Sequence, residues 1–219
     1  MKVCVLIPTY NESEAIGGLV KNIRAQNLDV FVIDDGSADN TAEIARQSGA
    51  VVLRNPVNKG KGASLIRGFE YVLGRGVDAV ITMDGDGQHS PDEIGSFLQR
   101  AGSSDAGIIV GNRMSAVKNM PVVRIMTNTF MSWLISIKAK QHIPDTQCGY
   151  RFLNRAVIEK LSLTTFKYET ETEILIQASQ AHFKIESIPI KTIYVREKSS
   201  INPFIDTWRF IRFILGIRS

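Results

Sequence analysis

The sequence predicts an α/β fold, with a mostly parallel central sheet flanked by helices and a C-terminal amphipathic helix at its end. Three observations carry this. Short apolar runs alternate with longer amphipathic ones through the first half of the chain. Four of these runs end in acidic or polar clusters, and open parallel sheets bind ligands beyond the carboxyl ends of their strands. After residue 111 the alternation stops and longer elements take over.

The elements follow in order along the chain. Val3–Pro8 is a buried strand, since its apolar run is short and stops at a proline. Glu12–Gln26 is a helix with Asn11 as its N-cap. Val30–Asp34 is the second strand. Thr41–Ser48 is a helix capped by Asp39 or Asn40 and closed by Gly49. Val51–Arg54 is the third strand, and Gly62–Leu73 a helix closed near Gly74. Ala79–Met83 is the fourth strand. Pro91–Arg100 is a helix with Ser90 as N-cap and Pro91 at its first position. Gly107–Val110 is the fifth strand. Arg124–Lys138 then reads as one long helix, Gly149–Leu153 as a strand and Glu169–Ala181 as a helix. Lys184–Val195 alternates like a strand, and Pro203–Leu215 is the last helix.

Composition narrows the class. A chain of 219 residues buries roughly 70% of its unfolded surface, enough for a sizeable core. With 44% hydrophobic and 22% charged residues, whole-chain disorder, collagen and coiled coil are excluded. Two cysteines, Cys4 and Cys148, cannot build a disulfide framework or a four-cysteine zinc site. Net charge is uneven. Residues 1–109 hold 10 Lys and Arg against 14 Asp and Glu, while residues 110–219 hold 16 against 8. The acidic half suits a metal or a sugar-bearing cofactor, and the basic half a phosphate or an anionic surface. No secretory leader is expected, and no uninterrupted apolar stretch is long enough to span a bilayer.

Four clusters fall at strand ends: Tyr10-Asn11-Glu12, Asp34-Asp35-Gly36-Ser37, Asn58-Lys59-Gly60-Lys61-Gly62 and Asp84-Gly85-Asp86-Gly87-Gln88-His89. Asp84-Gly85-Asp86 is the sharpest. Two carboxylates across one glycine can converge on a hard cation such as Mg²⁺ or Mn²⁺, which then shares donor phosphates. Asn58–Gly62 lacks the spacing of a P-loop, and no Gly-x-Gly-x-x-Gly follows the first strand. His89 reads equally as a ligand, a supporting residue or a surface one.

These four clusters, with Ile7-Pro8-Thr9 ahead of the first, resemble family 2 glycosyltransferases of the GT-A fold in order and spacing. Downstream, Gly111-Asn112-Arg113, Asp145-Thr146-Gln147-Cys148-Gly149-Tyr150-Arg151 and Ser199-Ser200-Ile201-Asn202-Pro203-Phe204 resemble the polyprenyl- or dolichyl-phosphate hexose synthases. The resemblance implies a single domain over 1–219, with a nucleotide-sugar-binding half at 1–111 and an acceptor half at 112–219. It implies that Pro8, Tyr10, Glu12, Asp34 and Asp35 hold the nucleoside, joined by Lys61 and Gln88 around the donor. Asp84 and Asp86 would bind the divalent metal and the diphosphate. Arg113, Arg124 and Asn128 would face the acceptor phosphate, and Asp145 the sugar. Asp86, Asp145 and Arg113 are the expected catalytic residues. Where relatives carry Ser-Lys, this chain has Ser199-Ser200, so Arg196 and Lys198 are the candidate phosphate contacts there.

The expected reaction is inverting transfer of a hexose from a nucleoside-diphosphate sugar to a polyprenyl or dolichyl phosphate. UDP-glucose is the first expected donor and GDP-mannose the second. A phosphate acceptor is already anionic and needs no strong base, only alignment and desolvation. A hydroxyl acceptor would need one, with Asp145 as the candidate. A non-catalytic nucleotide-sugar-binding module is the third reading, and the intact Asp84, Asp86 and Asp145 weigh against it. Residues 122–137 are apolar on more than one face, and 204–217 carry aromatic stripes with Arg209 and Arg212 between them. Both suit a membrane interface. A peripheral position on the cytoplasmic face is therefore expected. The alternative cover for these helices is a homo-oligomer or a membrane-protein partner. No nucleic-acid partner is expected.

Overall fold

The computed structural model describes residues 1–115, 117 and 120–191. Seven strands form one sheet: β1 (Val3–Thr9), β2 (Asp29–Asp34), β3 (Val51–Arg54), β4 (Ala79–Thr82), β5 (Ile108–Asn112), β6 (Arg151–Asn154) and β7 (Ile185–Pro189). Their order across the sheet is β3-β2-β1-β4-β6-β5-β7. All neighbours run parallel except β6, which is antiparallel to both β4 and β5. The expected mostly parallel α/β sheet is present.

Seven α-helices accompany the sheet: α1 (Ile16–Arg24), α2 (Thr41–Gln47), α3 (Lys61–Leu73), α4 (Ile94–Gly102), α5 (Val122–Ala139), α6 (Arg155–Lys160) and α7 (Glu169–Gln180). Every residue of β1 is buried, as a central parallel strand must be when both faces are covered. Leu6, Ile7, Ile33, Ile81, Ile109 and Phe152 form the middle of the core. Helix α1 packs on α2, and α3 packs on α6 and α7. Cys4 and Cys148 are free and buried, and burial pushes both thiols up to about 12. Neither is a reactive thiolate at neutral pH.

Three local differences from the sequence reading have clear causes. Helix α1 starts at Ile16 rather than Glu12. Asn11 does not cap it; it adopts the left-handed conformation at φ 57°, and its Oδ1 accepts from the Ala38 N–H at 2.8 Å. That ties Asn11 to the turn after β2. Helix α6 escaped the sequence reading because six residues are too few to show a period; Asn154 caps it by accepting from the Val157 N–H at 2.9 Å. The strand read as Lys184–Val195 is β7 at Ile185–Pro189, and 192–195 lie outside the described residues. So does the expected helix Pro203–Leu215.

The start of α3 and the start of α7 press together. A side chain at Gly62 would overlap the Thr170 Oγ1 and lie 2.6 Å from the Phe166 carbonyl carbon. The Ala63 N–H also donates to the Phe166 carbonyl at 3.1 Å. Because backbone cannot move aside cheaply, Gly62→Val is expected to lower the unfolding free energy by roughly 3 kcal/mol. Urea denaturation would show it as a fall in midpoint at unchanged slope.

Candidate active site

Strands β1 to β4 are parallel, so the loops that follow them meet at one edge of the sheet. Hydrogen bonds lock these loops to each other. The Asn11 N–H donates to Ser37 Oγ at 2.9 Å, and the Glu12 N–H to Thr41 Oγ1 at 2.8 Å. Gly85 lies so close to β1 that a Cβ there would stand 2.7 Å from Thr9 Oγ1. The four sequence clusters are thus one site. Pro8 is buried in β1, Tyr10 is exposed beside it, and Glu12 and Gln88 are half-buried.

Asp34 and Asp35 both turn inward. Asp34 accepts from the Ser37 N–H and hydroxyl and pairs with Arg54 Nε at 3.0 Å. Asp35 accepts from the Lys59 N–H at 3.0 Å, the Gly60 N–H at 2.7 Å and Asn55 Nδ2 at 2.7 Å. Its carboxylate therefore fixes the loop that leads into α3. Lys61 follows at the first position of that helix.

Lys61 is the hinge of the charge arrangement. Its Nζ sits 2.5 Å from Asp84 Oδ1 and 2.9 Å from Glu171 Oε1. Burial alone would lower its pKa, but Asp84 and Glu171 outweigh burial and hold the ammonium well above its ordinary range. Burial likewise opposes ionisation of Asp84, yet Lys61, then His89, keep its carboxyl far below the usual carboxylate range. His89 Nε2 lies 3.6 Å from Asp84 Oδ2, and the buried His89 Nδ1 has no hydrogen-bond partner. Asp86 behaves oppositely: burial, then the neighbouring Asp84 charge, raise its pKa. The Gln88 N–H donates to Asp86 Oδ1 at 2.9 Å.

Among the described residues, no group of three or more His, Cys, Asp or Glu side chains is placed to hold a metal by itself. The Asp84–Asp86 pair fits a hard divalent cation nonetheless. Asp86 is a carboxylate made costly to ionise by the charge beside it, a condition that a shared cation removes. Two carboxylates with the remainder of the shell from phosphate and water is the usual Mg²⁺ arrangement.

The loops that follow β5 and precede β6 supply a second charged pair. Arg113, 7% exposed, meets Asp145, fully buried, through Nε–Oδ2 at 2.8 Å and Nη2–Oδ1 at 2.9 Å. The Arg113 N–H adds a third bond to Oδ2 at 3.0 Å, and the Gln147 N–H a fourth to Oδ1 at 3.3 Å. Asp145 thus spends both oxygens inside the protein. Next to it, Thr146 is tied to α5: its N–H donates to Ser132 Oγ at 2.9 Å. Asn128, one turn before Ser132, is buried with Nδ2 unpartnered, and Arg124 lies half-buried a further turn back. These three share one helix face. Among the described residues nothing covers the other face of α5: Val122, Val123, Met126, Phe130, Trp133 and Ile137 are each between 54% and 76% exposed. Arg196 and Lys198 lie outside the described residues.

Two residues that the sequence reading passed over complete the site. Glu171 sits in the first turn of α7, where an acidic residue reads as complementing the helix dipole. Arg151 was quoted only as part of a motif. It is 1% exposed and donates to the carbonyls of Cys148, Thr146 and Glu171 at 2.8, 2.8 and 2.6 Å. No periodicity marks either role, because each partner is distant in sequence.

The profile of the family described as Glycosyl transferase family 2 matches residues 4–162, most of the chain. The protein belongs to that family. It is 31% identical over 215 residues to the UDP-N-acetylglucosamine–dolichyl-phosphate N-acetylglucosaminyltransferase of Methanococcus voltae, covering 88% of this chain and 86% of that one. It is 29% identical over 207 residues to the polyprenol monophosphomannose synthase of Mycolicibacterium smegmatis, covering 86% and 76%. The protein is therefore a family 2 glycosyltransferase related to the dolichyl- and polyprenyl-phosphate sugar transferases. In fold it resembles M. tuberculosis glucosyl-3-phosphoglycerate synthase crystallised with UDP, at a TM-score of 0.78, 20% identity and coverage of 100% and 81%. The same enzyme has been crystallised with Mn²⁺, UDP and phosphoglyceric acid, and with Mg²⁺ and UDP. No helix among the described residues is long and apolar enough to cross a membrane.

The Asp86 environment sets a stability test. Because its pKa is raised in the folded state, ionisation at neutral pH disfavours folding, and the cost is relieved as pH falls through the folded value. Asp86→Asn keeps the acceptor for Gln88 and removes the charge. It is expected to raise the melting temperature at pH 7 without divalent ions, and to lose that advantage as pH is lowered. Differential scanning calorimetry across pH measures both.

Proposed function

We propose that this protein transfers a sugar from a nucleoside-diphosphate donor to a polyprenyl or dolichyl phosphate, at a membrane surface, with inversion at the anomeric carbon. The observation that carries this reading is the state of Asp145. A hydroxyl acceptor needs a carboxylate with a free oxygen to take its proton. Asp145, the sequence candidate for that base, is buried with both oxygens bonded to Arg113 and to backbone N–H groups. A lipid phosphate brings its own negative charge, and in the dianionic form that prevails at neutral pH it has no proton to lose.

In this reading the donor lies along the edge formed by the loops after β1 to β4. Pro8, Tyr10 and Glu12 border the nucleoside. Asp34 and Asp35 shape that border from within by holding the turn after β2 and the loop before α3. Asp84 and Asp86, with Gln88 beside them, would hold Mg²⁺ or Mn²⁺ against the diphosphate. A divalent ion bound there supplies charge stabilisation to the departing nucleoside diphosphate. Lys61 is within reach of the same diphosphate. Arg113 is oriented by Asp145 toward the acceptor phosphate, and Arg124 and Asn128 approach from α5. Arg196 and Lys198 are the further candidates for phosphate contact.

The bond changes are few. A phosphate oxygen of the acceptor forms a bond to the anomeric carbon as the bond from that carbon to the diphosphate oxygen breaks. Nucleoside diphosphate leaves, and no proton need move. Alignment and electrostatic preorganisation then account for the acceleration.

The open apolar face of α5 supports a membrane-borne acceptor. The inner face of that helix is bonded to the loop of Asp145, so the apolar side chains stand one helix width from the phosphate-binding groups. The sequence from residue 106 to 144 contains no acidic residue, whereas Arg113, Lys118, Arg124, Lys138 and Lys140 fall within it. A basic, acid-free flank favours an anionic leaflet, consistent with a peripheral position on the cytoplasmic face.

The test is transfer from radiolabelled UDP-glucose, GDP-mannose and UDP-N-acetylglucosamine to a short polyprenyl phosphate in detergent. Labelled lipid from one donor is the expected outcome. Transfer only to an added glycan or a free polyprenol would overturn the phosphate-acceptor reading. Asp145→Asn sharpens it: turnover falls, but the acid limb of the pH–rate profile persists, since that limb belongs to the acceptor phosphate with its second ionisation near ~6. Loss of the limb would mean that Asp145 is the base.

A further inference from the structure

Lys61 has two anionic partners, and only one of them belongs to the Asp84–Asp86 pair. Its Nζ stands 2.5 Å from Asp84 Oδ1 and 2.9 Å from Glu171 Oε1. Glu171 comes from α7, an element remote from the donor loops. Its side chain is less exposed than that of Asp84, 13% against 27%. Its backbone is pinned by Arg151 Nη1, which donates to the Glu171 carbonyl at 2.6 Å. Gly149 closes the arrangement: a Cβ there would lie 2.8 Å from both Asp84 carboxylate oxygens and 2.9 Å from Glu171 Oε1. Backbone glycine thus lets Asp84, Lys61 and Glu171 meet with nothing between them.

We infer that Glu171 is a positioning residue that receives Lys61 when Asp84 turns to a divalent cation. The inference rests on the proposed role of Asp84 as a metal ligand. The physical argument is competition. With Asp84 as its sole partner, a buried ammonium would be stranded without a counter-ion once the metal claimed that carboxylate. It would therefore hold on to Asp84 and oppose the metal. A second carboxylate in contact with the same Nζ removes that penalty. Lys61 moves onto Glu171, stays charged, and remains at the N-terminus of α3 facing the donor diphosphate. The charges agree with this. Asp84, Asp86 and Glu171 are each −1 and Lys61 is +1, so the group carries −2, which one divalent cation cancels.

The experiment is Mn²⁺ binding followed by the electron paramagnetic resonance signal of the free ion, without nucleotide and with UDP or GDP, each read against the same solution lacking protein, and no acceptor. Glu171→Gln is expected to weaken Mn²⁺ binding by about tenfold, the scale at which groups that orient a metal ligand act. Lys61→Met is expected to tighten Mn²⁺ binding in the absence of nucleotide. In the double variant Lys61→Met/Glu171→Gln, Mn²⁺ affinity returns at least to that of the wild type, because the competitor is gone. A merely structural role for Glu171 would not be rescued by removing Lys61. Equal Mn²⁺ affinity in wild type and Glu171→Gln, or a double variant as weak as the single one, would overturn the inference and leave the metal reading standing. A wild-type protein that leaves the Mn²⁺ signal where either nucleotide alone leaves it would overturn the metal reading, and this inference with it.

Discussion

Asp145 and Arg113 face each other through two parallel hydrogen bonds in a place that water barely reaches, and the segment between β5 and β6 is anchored by that contact. A bidentate guanidinium–carboxylate pair has little freedom of angle. It fixes the residue that follows β5, Arg113, against the loop that leads into β6. Through Thr146 and Ser132 the same loop holds α5. Removing either partner would leave a buried charge uncompensated, which typically costs about 3–5 kcal/mol. The pair therefore sets where the chain leaves β5 and where it returns to β6, independently of any ligand.

Arg151 extends this logic without a carboxylate of its own. Its guanidinium is satisfied by three backbone carbonyls, from the Asp145 loop and from α7. Five fixed donors in one plane suit that task, and a lysine could not span it. The result is that β6, the loop before it and the first turn of α7 are tied to one side chain. Glu171 is held by that tie, which is why a residue so far along the chain reaches the ammonium that Asp84 also holds.

Most of the fold was legible in the sequence for a simple reason. Parallel strands buried on both faces read as unbroken apolar runs, and Val3–Pro8, Val30–Asp34 and Ala79–Met83 are such runs. The candidate site was legible where short loops follow those strands, because a loop at a strand end has only one edge to occupy. What escaped had no local pattern. The direction of β6 depends on its pairing with Phe152 against Ile81 and Ile109, which no spacing encodes. The inward turn of Asp34 and Asp35 depends on Arg54, Asn55 and backbone N–H groups more than fifteen residues away. Glu171 and Arg151 are defined by partners on other elements, and a residue so defined looks ordinary in its own segment.

The antiparallel course of β6 has a further consequence. Because β6 starts beside the end of β4, with Arg151 paired to Thr82, and β5 ends at the same edge, everything from residue 113 to 150 leaves the sheet and returns to it at one side. Topologically that segment is an enlarged hairpin loop between neighbouring strands, with α5 as its contents. It can lengthen, shorten or change its outer surface without altering the register of any strand. A fold built this way can vary the surface that this segment presents while the edge formed by the loops after β1 to β4 stays as it is.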